Sequence, residues 1–143
     1  MASFAHTTIA VVDDDDGLRD SLVSLIRSYD HPVESFASAA EFLALRHADR
    51  FYFLVLDVQM PGMSGLELQS RLCQLGEPYP IVFVSACDDE RTRAQARRAG
   101  ALDFLDKPLD ADRLMSLINA SAIRPYGGGA QHQARARAQA PRL

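Results

Sequence analysis

Cysteine and long apolar runs are both scarce in this chain of 143 residues. Its two cysteines, Cys73 and Cys87, show neither a CxxC pattern nor the spacing of a metal site. The longest apolar run, FYFLVL, is strand-sized and far below the roughly 20 residues that span a bilayer. The N-terminal residues lack the charged-then-apolar order of a signal peptide. These absences predict a soluble protein with reduced cysteines in the cytoplasm and no membrane partner.

Lysine is scarcer still, because Lys107 is the only lysine beside 14 arginines. Four of the arginines and no acidic residue lie in residues 124–143, which leaves 11 basic and 19 acidic side chains in residues 1–123, a net charge of −8. An acidic body repels nucleic-acid phosphates and suits a cation site. The sequence therefore predicts no direct nucleic-acid binding by the folded part.

The sequence is rich in short apolar runs that alternate with helix-length segments. Five runs favour β-strands: TIAVV (8–12), PVESF (32–36), FYFLVL (51–56), PIVFVS (80–85) and ALDFL (101–105). The first, third and fourth are apolar without alternation, which is typical of strands buried on both faces of a parallel sheet, whereas PVESF alternates like an edge strand. Five βα units with right-handed crossovers predict an α/β fold, a three-layer, doubly wound, five-stranded parallel sheet.

Polar residues and a glycine mark the expected helix ends. Ser38 is expected to cap the helix AAEFLALRH, and Ser64 with Glu67 forms the S-x-x-E pattern of a capping box. Gly100 stands where an Arg- and Ala-rich helix is expected to end, and Asp110 is expected to cap the last helix.

The chain length and these elements predict one folded domain over residues 1–123. Residues 124–143 contain proline, three consecutive glycines and small polar residues, with too little apolar surface to order them. We expect a flexible basic tail or interdomain linker there. A basic arm for nucleic acid or a partner protein is the alternative interpretation.

Polar residues follow the ends of the predicted strands. They are Asp13 and Asp14 after the first strand, Asp57 after the third, Ser85 at the end of the fourth and Lys107 just past the fifth. Ligands of an open parallel sheet bind outside the carboxyl ends of its strands, so these side chains are expected to converge. Carboxylates about 4 Å apart repel by about 4 kcal/mol at an effective dielectric of 20, and a divalent cation removes that cost.

Magnesium fits the predicted group of acids. Mg²⁺ takes hard oxygen ligands and prefers one or two carboxylates together with a phosphate oxygen. Asp13, Asp14 and Asp57 can supply such a set, and Gln59 can add its backbone carbonyl. The sequence therefore predicts a Mg²⁺ cofactor.

Asp57 is the best candidate for a nucleophile toward phosphorus, because it follows a buried strand and precedes a Pro-Gly turn. Lys107 would place a compact positive charge against one phosphoryl oxygen, and Ser85 would donate a hydrogen bond to another. Pro108 would turn the chain so that Lys107 points inward, and the bond between them is a candidate for cis geometry.

Four blocks of the sequence resemble, in order, the motif blocks of bacterial response-regulator receiver domains. They are VVDDDDGLR, VLDVQMPGMSGLEL, IVFVSA and AGALDFLDKPL, which together cover about residues 7–123. The sequences SAAEFL and MSGLEL most resemble those of FixJ-type regulators of the LuxR family. The resemblance implies a CheY-like, flavodoxin-like sheet of strand order 2-1-3-4-5. It also implies a signalling switch of a two-component phosphorelay, which is not an enzyme beyond its own phosphorylation and dephosphorylation.

The resemblance also implies roles for the residues at the strand ends. Asp57 would be the phosphoacceptor, Asp13 and Asp14 the acidic pair that binds Mg²⁺, and the Gln59 carbonyl a further metal ligand. Ser85 and Lys107 would contact the phosphoryl group.

A switch pair is implied as well. Phe104 falls at the family's switch position, where many members carry tyrosine, and would change exposure as Ser85 moves toward the phosphate. Cys87, two residues past Ser85, falls at a position that varies in the family and tunes the lifetime of the phosphoryl group, as does the position of Gln59.

The implied partner is a sensor histidine kinase, and a homodimer through the fourth helix, fifth strand and fifth helix is a further expectation. The output is expected to be transcription control through an effector domain absent from this chain. A stand-alone receiver that acts by protein contacts or as a phosphate sink is the alternative. A phosphatase with an aspartate nucleophile would need a second aspartate where Gln59 stands, which argues against that enzyme class.

The run of four aspartates, Asp13 to Asp16, first reads either as a strand that stops at a polar site or as a solvated helix start. With the strand ends in view it divides into two parts. Asp13 and Asp14 are predicted to serve the cation, whereas Asp15 and Asp16 are predicted to begin the next helix, where negative charge favours the helix dipole.

Overall fold

The computed structural model describes residues 8–45, 50–77, 79–86 and 89–122. Strands and helices alternate along them without exception: β1 (Thr8–Val12), α1 (Asp16–Ser28), β2 (Val33–Phe36), α2 (Ala39–Leu45), β3 (Phe51–Leu56), α3 (Gly65–Gln74), β4 (Ile81–Ser85), α4 (Glu90–Arg98), β5 (Asp103–Asp106) and α5 (Ala111–Ala122). All five predicted strands are present, but β5 begins two residues later than the sequence indicated. The N–H of Ala101 donates to the Ala96 carbonyl at the end of α4, 3.0 Å away, so this residue still closes the helix.

The five strands form one sheet in the order β2-β1-β3-β4-β5, and every neighbouring pair is parallel. The predicted α/β fold and strand order are therefore confirmed. β2 lies at an edge, and its middle residues are the least buried of the strand, as its alternating sequence indicated. β1 and β4 are buried along their whole length because they lie inside the sheet with both faces covered.

One face of the sheet packs against α2, α3 and α4. The rings of Phe36 and Phe42 lie 5.2 Å apart in an edge-on contact, and Phe51 lies 6.0 Å and 5.6 Å from them. The opposite face receives α1, which buries Leu22 and Ile26. The sheet is thus the middle layer of three.

The chain divides into two compact units at Asp110. The first contains the sheet, α1 to α4 and every residue predicted for the site. The second begins at Ala111 and contains α5, on which Leu114, Met115 and Ile118 are buried. The predicted tail 124–143 and Cys87 lie outside the described residues, so the domain boundary at residue 123 stays a prediction. Over the described ranges, no helix combines the length and apolarity that crossing a membrane requires.

The predicted helix ends are confirmed where the structure describes their caps. Ser64 and Glu67 form a reciprocal capping box at the start of α3, with bonds of 3.1 Å and 2.8 Å. Ser38 accepts the N–H of Glu41 at 3.0 Å in the first turn of α2. Gly100 follows α4 with φ of +102°, a left-handed conformation that favours glycine at a helix end.

Gly65, the first residue of α3, lies directly against the end of β3. Its N–H donates to the Val58 carbonyl at 2.9 Å. A Cβ atom at this position would lie 2.2 Å from the backbone oxygen of Asp57 and 3.0 Å from the Phe83 ring. Only glycine lets the helix start this close to the strand end that carries Asp57.

Gly65→Ala is expected to lower the free energy of unfolding by about 1–3 kcal/mol, because the backbone of Asp57 or of α3 has to move. Gly17→Ala is the matched control, since Gly17 also lies in the first turn of a helix and a Cβ there meets its nearest atom at 3.5 Å. The control is expected to be neutral or slightly stabilising, because alanine favours helix. Urea denaturation of both variants measures the difference, and equal effects would contradict the steric argument.

Candidate functional site

The residues after the strand ends are held by hydrogen bonds that continue the sheet. The N–H of Asp13 donates to the Phe36 carbonyl at 3.1 Å, and that of Asp57 donates to the Val12 carbonyl at 3.0 Å. The N–H of Lys107 donates to the Ser85 carbonyl at 3.1 Å. Each residue is therefore tied to the neighbouring strand by its own backbone, at the carboxyl edge of the sheet.

Three carboxylates converge at this edge. One oxygen from each of Asp13, Asp14 and Asp57 lies within 4.8 Å of the others. Asp13 and Asp57 are buried, with 1% and 6% of their surface exposed, whereas Asp14 is exposed. The predicted convergence of the acids is therefore present in the structure.

Lys107, the residue directly after β5, reaches into the same group. Its Nζ lies 3.7 Å from Asp13 Oδ2 and 3.8 Å from Asp57 Oδ2, so it faces both buried acids. These distances are ion pairs without a close hydrogen bond. When all four groups are ionised, three carboxylates and one ammonium leave two negative charges.

Burial, followed by the charge of Asp13, raises the pKa of Asp57 to about 6. The Lys107 ammonium and a hydrogen bond from the Gln59 backbone act in the opposite direction but do not overcome burial. Burial also raises the pKa of Asp13, although the N–H of Asp15 donates to its Oδ1 at 2.8 Å and Lys107 lies nearby.

The four consecutive aspartates separate as the sequence predicts. Asp15 caps α1 and accepts the N–H of Leu18 at 3.1 Å, and Asp16 is the first residue of the helix. Asp16 pairs with Arg19 at 2.5 Å. In the described part of the chain, the Asp14 carboxylate has no hydrogen bond and no ion pair, so it is available to a ligand.

The donor set suits a hard divalent cation. It consists of carboxylate oxygens that follow two adjacent strands, and one of the three acids is exposed to solvent. Among the described residues, no cysteine or histidine belongs to the cluster. Mg²⁺ prefers such oxygens and keeps several waters, which the exposed side at Asp14 leaves room for. The residues present therefore fit the predicted ion.

The remaining predicted residues lie at the same edge. Ser85 is the last residue of β4, is 1% exposed and pairs in register with Asp106. Gln59 lies two residues past Asp57 with an exposed side chain. The bond between Lys107 and Pro108 is cis, as the sequence indicated. Contact of Ser85 with a phosphoryl group and metal binding by the Gln59 carbonyl stay predictions.

Phe104, the predicted switch residue, is buried on β5 with its ring 5.9 Å from that of Phe83. The guanidinium of Arg93, on α4, lies over this ring with its central carbon 4.8 Å from the centroid. Arg93 also pairs with Asp106, the residue before Lys107. One side chain of α4 therefore contacts both the switch ring and the end of β5.

Sequence reasoning missed three residues that shape this edge: Gly65, Arg19 and Arg93. An Asp-x-x-Arg spacing on a helix start is a signal that could have indicated the Arg19 pair with Asp16. The glycine after Ser64 stands inside one of the recognised blocks, but its contact with Asp57 is a tertiary one. No local pattern indicates the contacts of Arg93 with β5.

In metal-free buffer, Asp57→Asn is expected to stabilise the fold above pH 6 and to have little effect near pH 4. Between the ordinary pKa of 3.8 and the folded value of about 6, the folded chain holds a proton that the unfolded chain has lost. The free energy of unfolding therefore falls as pH rises through that window, by on the order of 3 kcal/mol in total. Urea unfolding at several pH values measures it.

The control is Asp20→Asn, which removes an exposed carboxylate of α1 outside the site. Its effect on unfolding is expected to stay small at every pH. If the stabilisation by Asp57→Asn did not change with pH, burial of the Asp57 charge would not be its cause.

Comparison with known proteins identifies the family of the chain. The family model described as response regulator receiver domain matches residues 9–119. The response regulator protein TodT of Pseudomonas putida is 41% identical over 115 residues, which are 80% of this chain and 51% of TodT. The transcriptional regulatory protein FixJ of Bradyrhizobium diazoefficiens is 38% identical over 135 residues, which are 94% of this chain and 65% of FixJ.

Solved structures show the same relationship. The crystal structure of FixJ-N superimposes with a TM-score of 0.75 at 31% identity, over 84% of this chain and 96% of that one. The chain spans about half the length of TodT. The similarity to FixJ-type regulators and the CheY-like fold, both expected from the sequence blocks, are confirmed. The chain belongs to the response regulator receiver domain family, the signalling switches of two-component systems.

Proposed function

We propose that this receiver takes a phosphoryl group from the phosphohistidine of a sensor kinase onto Asp57, with Mg²⁺ bound beside it. The observation that carries the proposal is the setting of Asp57. It is a buried carboxylate at the end of β3, with Lys107 Nζ 3.8 Å away and two further carboxylates within 4.8 Å. An acid at a surface strand end would have neither the burial nor these partners.

The metal would be held by Asp13, Asp14, Asp57 and the backbone carbonyl of Gln59. When bound, Mg²⁺ would supply positive charge that offsets the three carboxylates and the charge on the phosphoryl oxygens. Asp13 lies beneath the surface and Asp14 at its rim, so the pair offers one fixed and one accessible ligand.

Asp57 would be the nucleophile in the transfer. Its free carboxylate oxygen forms a bond to phosphorus while the bond from phosphorus to the histidine nitrogen of the kinase breaks. The electron pair of that bond stays on the imidazole, which recovers a proton from solvent. Lys107 would neutralise one phosphoryl oxygen, and the Ser85 hydroxyl would donate a hydrogen bond to another.

The glutamine at position 59 favours a signalling switch over a phosphatase that uses an aspartate nucleophile. Rapid hydrolysis of an aspartyl phosphate needs a group that takes a proton from the attacking water. The residue two positions past Asp57 is a neutral amide, which cannot do so. The site therefore has no acid/base residue at the position where phosphatases with an aspartate nucleophile need one.

The signal would pass through Ser85 and Phe104 to the surface around α4 and β5. Movement of Ser85 toward the phosphoryl group would open space for the Phe104 ring, which packs against Phe83 on the neighbouring strand. Pairing of two copies through α4, β5 and α5 stays a prediction that rests on the resemblance.

Transcription control is the output we propose for the whole protein. The support is that the matched relative FixJ is named a transcriptional regulatory protein and is longer than this chain. Action as a stand-alone receiver is the second possibility. Size measurement of the natural protein would separate the two.

Incubation with a small phosphodonor and Mg²⁺ is expected to add one phosphoryl group to the native chain. Asp57→Asn is expected to add none, because an amide is not a nucleophile toward phosphorus. Asp20→Asn, which removes an exposed carboxylate elsewhere, is the matched control and is expected to behave like the native chain. Intact-mass analysis gives the count, and equal labelling of Asp57→Asn would end the proposal.

Asp14→Ala is expected to weaken Mg²⁺ binding by about tenfold or more, because it removes the one ligand of the acidic pair that faces solvent. Calorimetric titration with Mg²⁺ measures the dissociation constant directly. Asp20→Ala is the control, because it removes one negative charge from α1, outside the metal site, and it is expected to leave the dissociation constant nearly unchanged. An unchanged dissociation constant in Asp14→Ala would remove this residue from the metal site.

A further inference from the structure

We propose that Arg19 is a positioning residue for the metal site, which holds the segment from Asp13 to Asp16 in the shape that presents Asp14 to the cation. The inference deepens the proposed function and rests on it. Arg19 touches neither the phosphoryl group nor the metal in this role. It acts through the backbone.

The guanidinium of Arg19 spans the segment with two bonds. Its Nη1 donates to the main-chain carbonyl of Asp13 at 2.7 Å, and its Nη2 donates to Asp16 Oδ1 at 2.5 Å. Only 15% of the Arg19 side chain is exposed, which is low for an arginine on a helix that faces an acidic loop. Asp14 and Asp15 lie between the two anchored residues.

The hydrogen bond from Arg19 to the Asp13 carbonyl determines the orientation of Asp14. The carbonyl of Asp13 and the nitrogen of Asp14 belong to one planar peptide unit, so fixing the oxygen fixes the direction in which the chain leaves β1. The other side of Asp13 is already fixed by its N–H bond to Phe36. Within the described residues the Asp14 carboxylate has no partner of its own, so its position depends on this backbone.

Arginine is suited to this task because its planar fork presents two donors in a fixed relation. A lysine ammonium is a single point and cannot donate to the Asp13 carbonyl and the Asp16 carboxylate with the same geometry. The pair with Asp16 also orients the fork and offsets its charge beside a cation site. Asp16 thus supports the site indirectly, through Arg19.

The sign of the effect separates this role from a simple charge effect. Arg19 is positive and lies near a site for a cation, so loss of its charge alone would strengthen Mg²⁺ binding. Loss of the two hydrogen bonds of Arg19, by contrast, lets the peptide between Asp13 and Asp14 move and weakens Mg²⁺ binding. The two explanations predict opposite changes in the same dissociation constant.

The test measures Mg²⁺ dissociation constants of Arg19→Lys and Arg19→Met by calorimetry near neutral pH. Both are expected to bind Mg²⁺ about tenfold more weakly, the usual scale for groups that orient metal ligands. Arg19→Lys keeps the charge, so weakening in that variant isolates the geometry. Arg27→Lys and Arg27→Met are matched controls, since Arg27 is an exposed arginine in the last turn of the same helix.

Equal or tighter Mg²⁺ binding by the Arg19 variants would overturn the inference while the proposed function stood. Equal weakening in the Arg27 variants would also overturn it, because the effect would then not depend on the two bonds that Arg19 makes. A native chain that bound no Mg²⁺ would instead remove the metal from the proposed function. Circular dichroism melting ensures that each variant is folded at the titration temperature, and Arg19→Lys remains informative if Arg19→Met does not fold.

Discussion

The parallel register of β1 and β3 forces the acidic residues of two strands into one small volume, and the rest of the site depends on this constraint. The bond from the Asp57 N–H to the Val12 carbonyl extends the ladder one residue past both strands, so Asp57 stands level with Asp13. The backbone at Asp13 and Asp57 cannot move away without breaking a hydrogen bond of the sheet. The fold therefore holds like charges within 4.8 Å, although they repel one another.

The balance of charges explains why a cation suits this arrangement. Lys107 is present, yet the pKa of Asp57 stays at about 6, so burial outweighs the ammonium 3.8 Å away. A closer lysine would pair fully with Asp57 and block its oxygen. At the observed distance it lowers the repulsion only in part, which leaves the carboxylates short of positive charge.

The sequence predicted what is encoded locally. The parallel α/β fold, the caps and the division of the four aspartates follow from apolar runs and from residue types at helix starts, and Ser64 caps its helix as expected. The strand order was implied only by the resemblance of the sequence blocks to receiver domains. The sequence patterns did not indicate Gly65, Arg19 and Arg93, because these residues act through contacts that form only in the folded structure. The start of β5 was misplaced because the N–H of Ala101 donates to the Ala96 carbonyl at the end of α4. Residue type alone does not decide whether this N–H bonds to the helix or to the sheet.

Arg93 connects α4 to the end of β5, next to the site. Its contacts with the Phe104 ring and the Asp106 carboxylate lie on one strand, and Asp106 stands in register with Ser85 and directly before Lys107. A shift at the end of β4 or β5 therefore changes a cation–π contact and an ion pair at once. Phe104 cannot leave its place without altering the surroundings of Arg93, so this side chain couples the ring of β5 to α4.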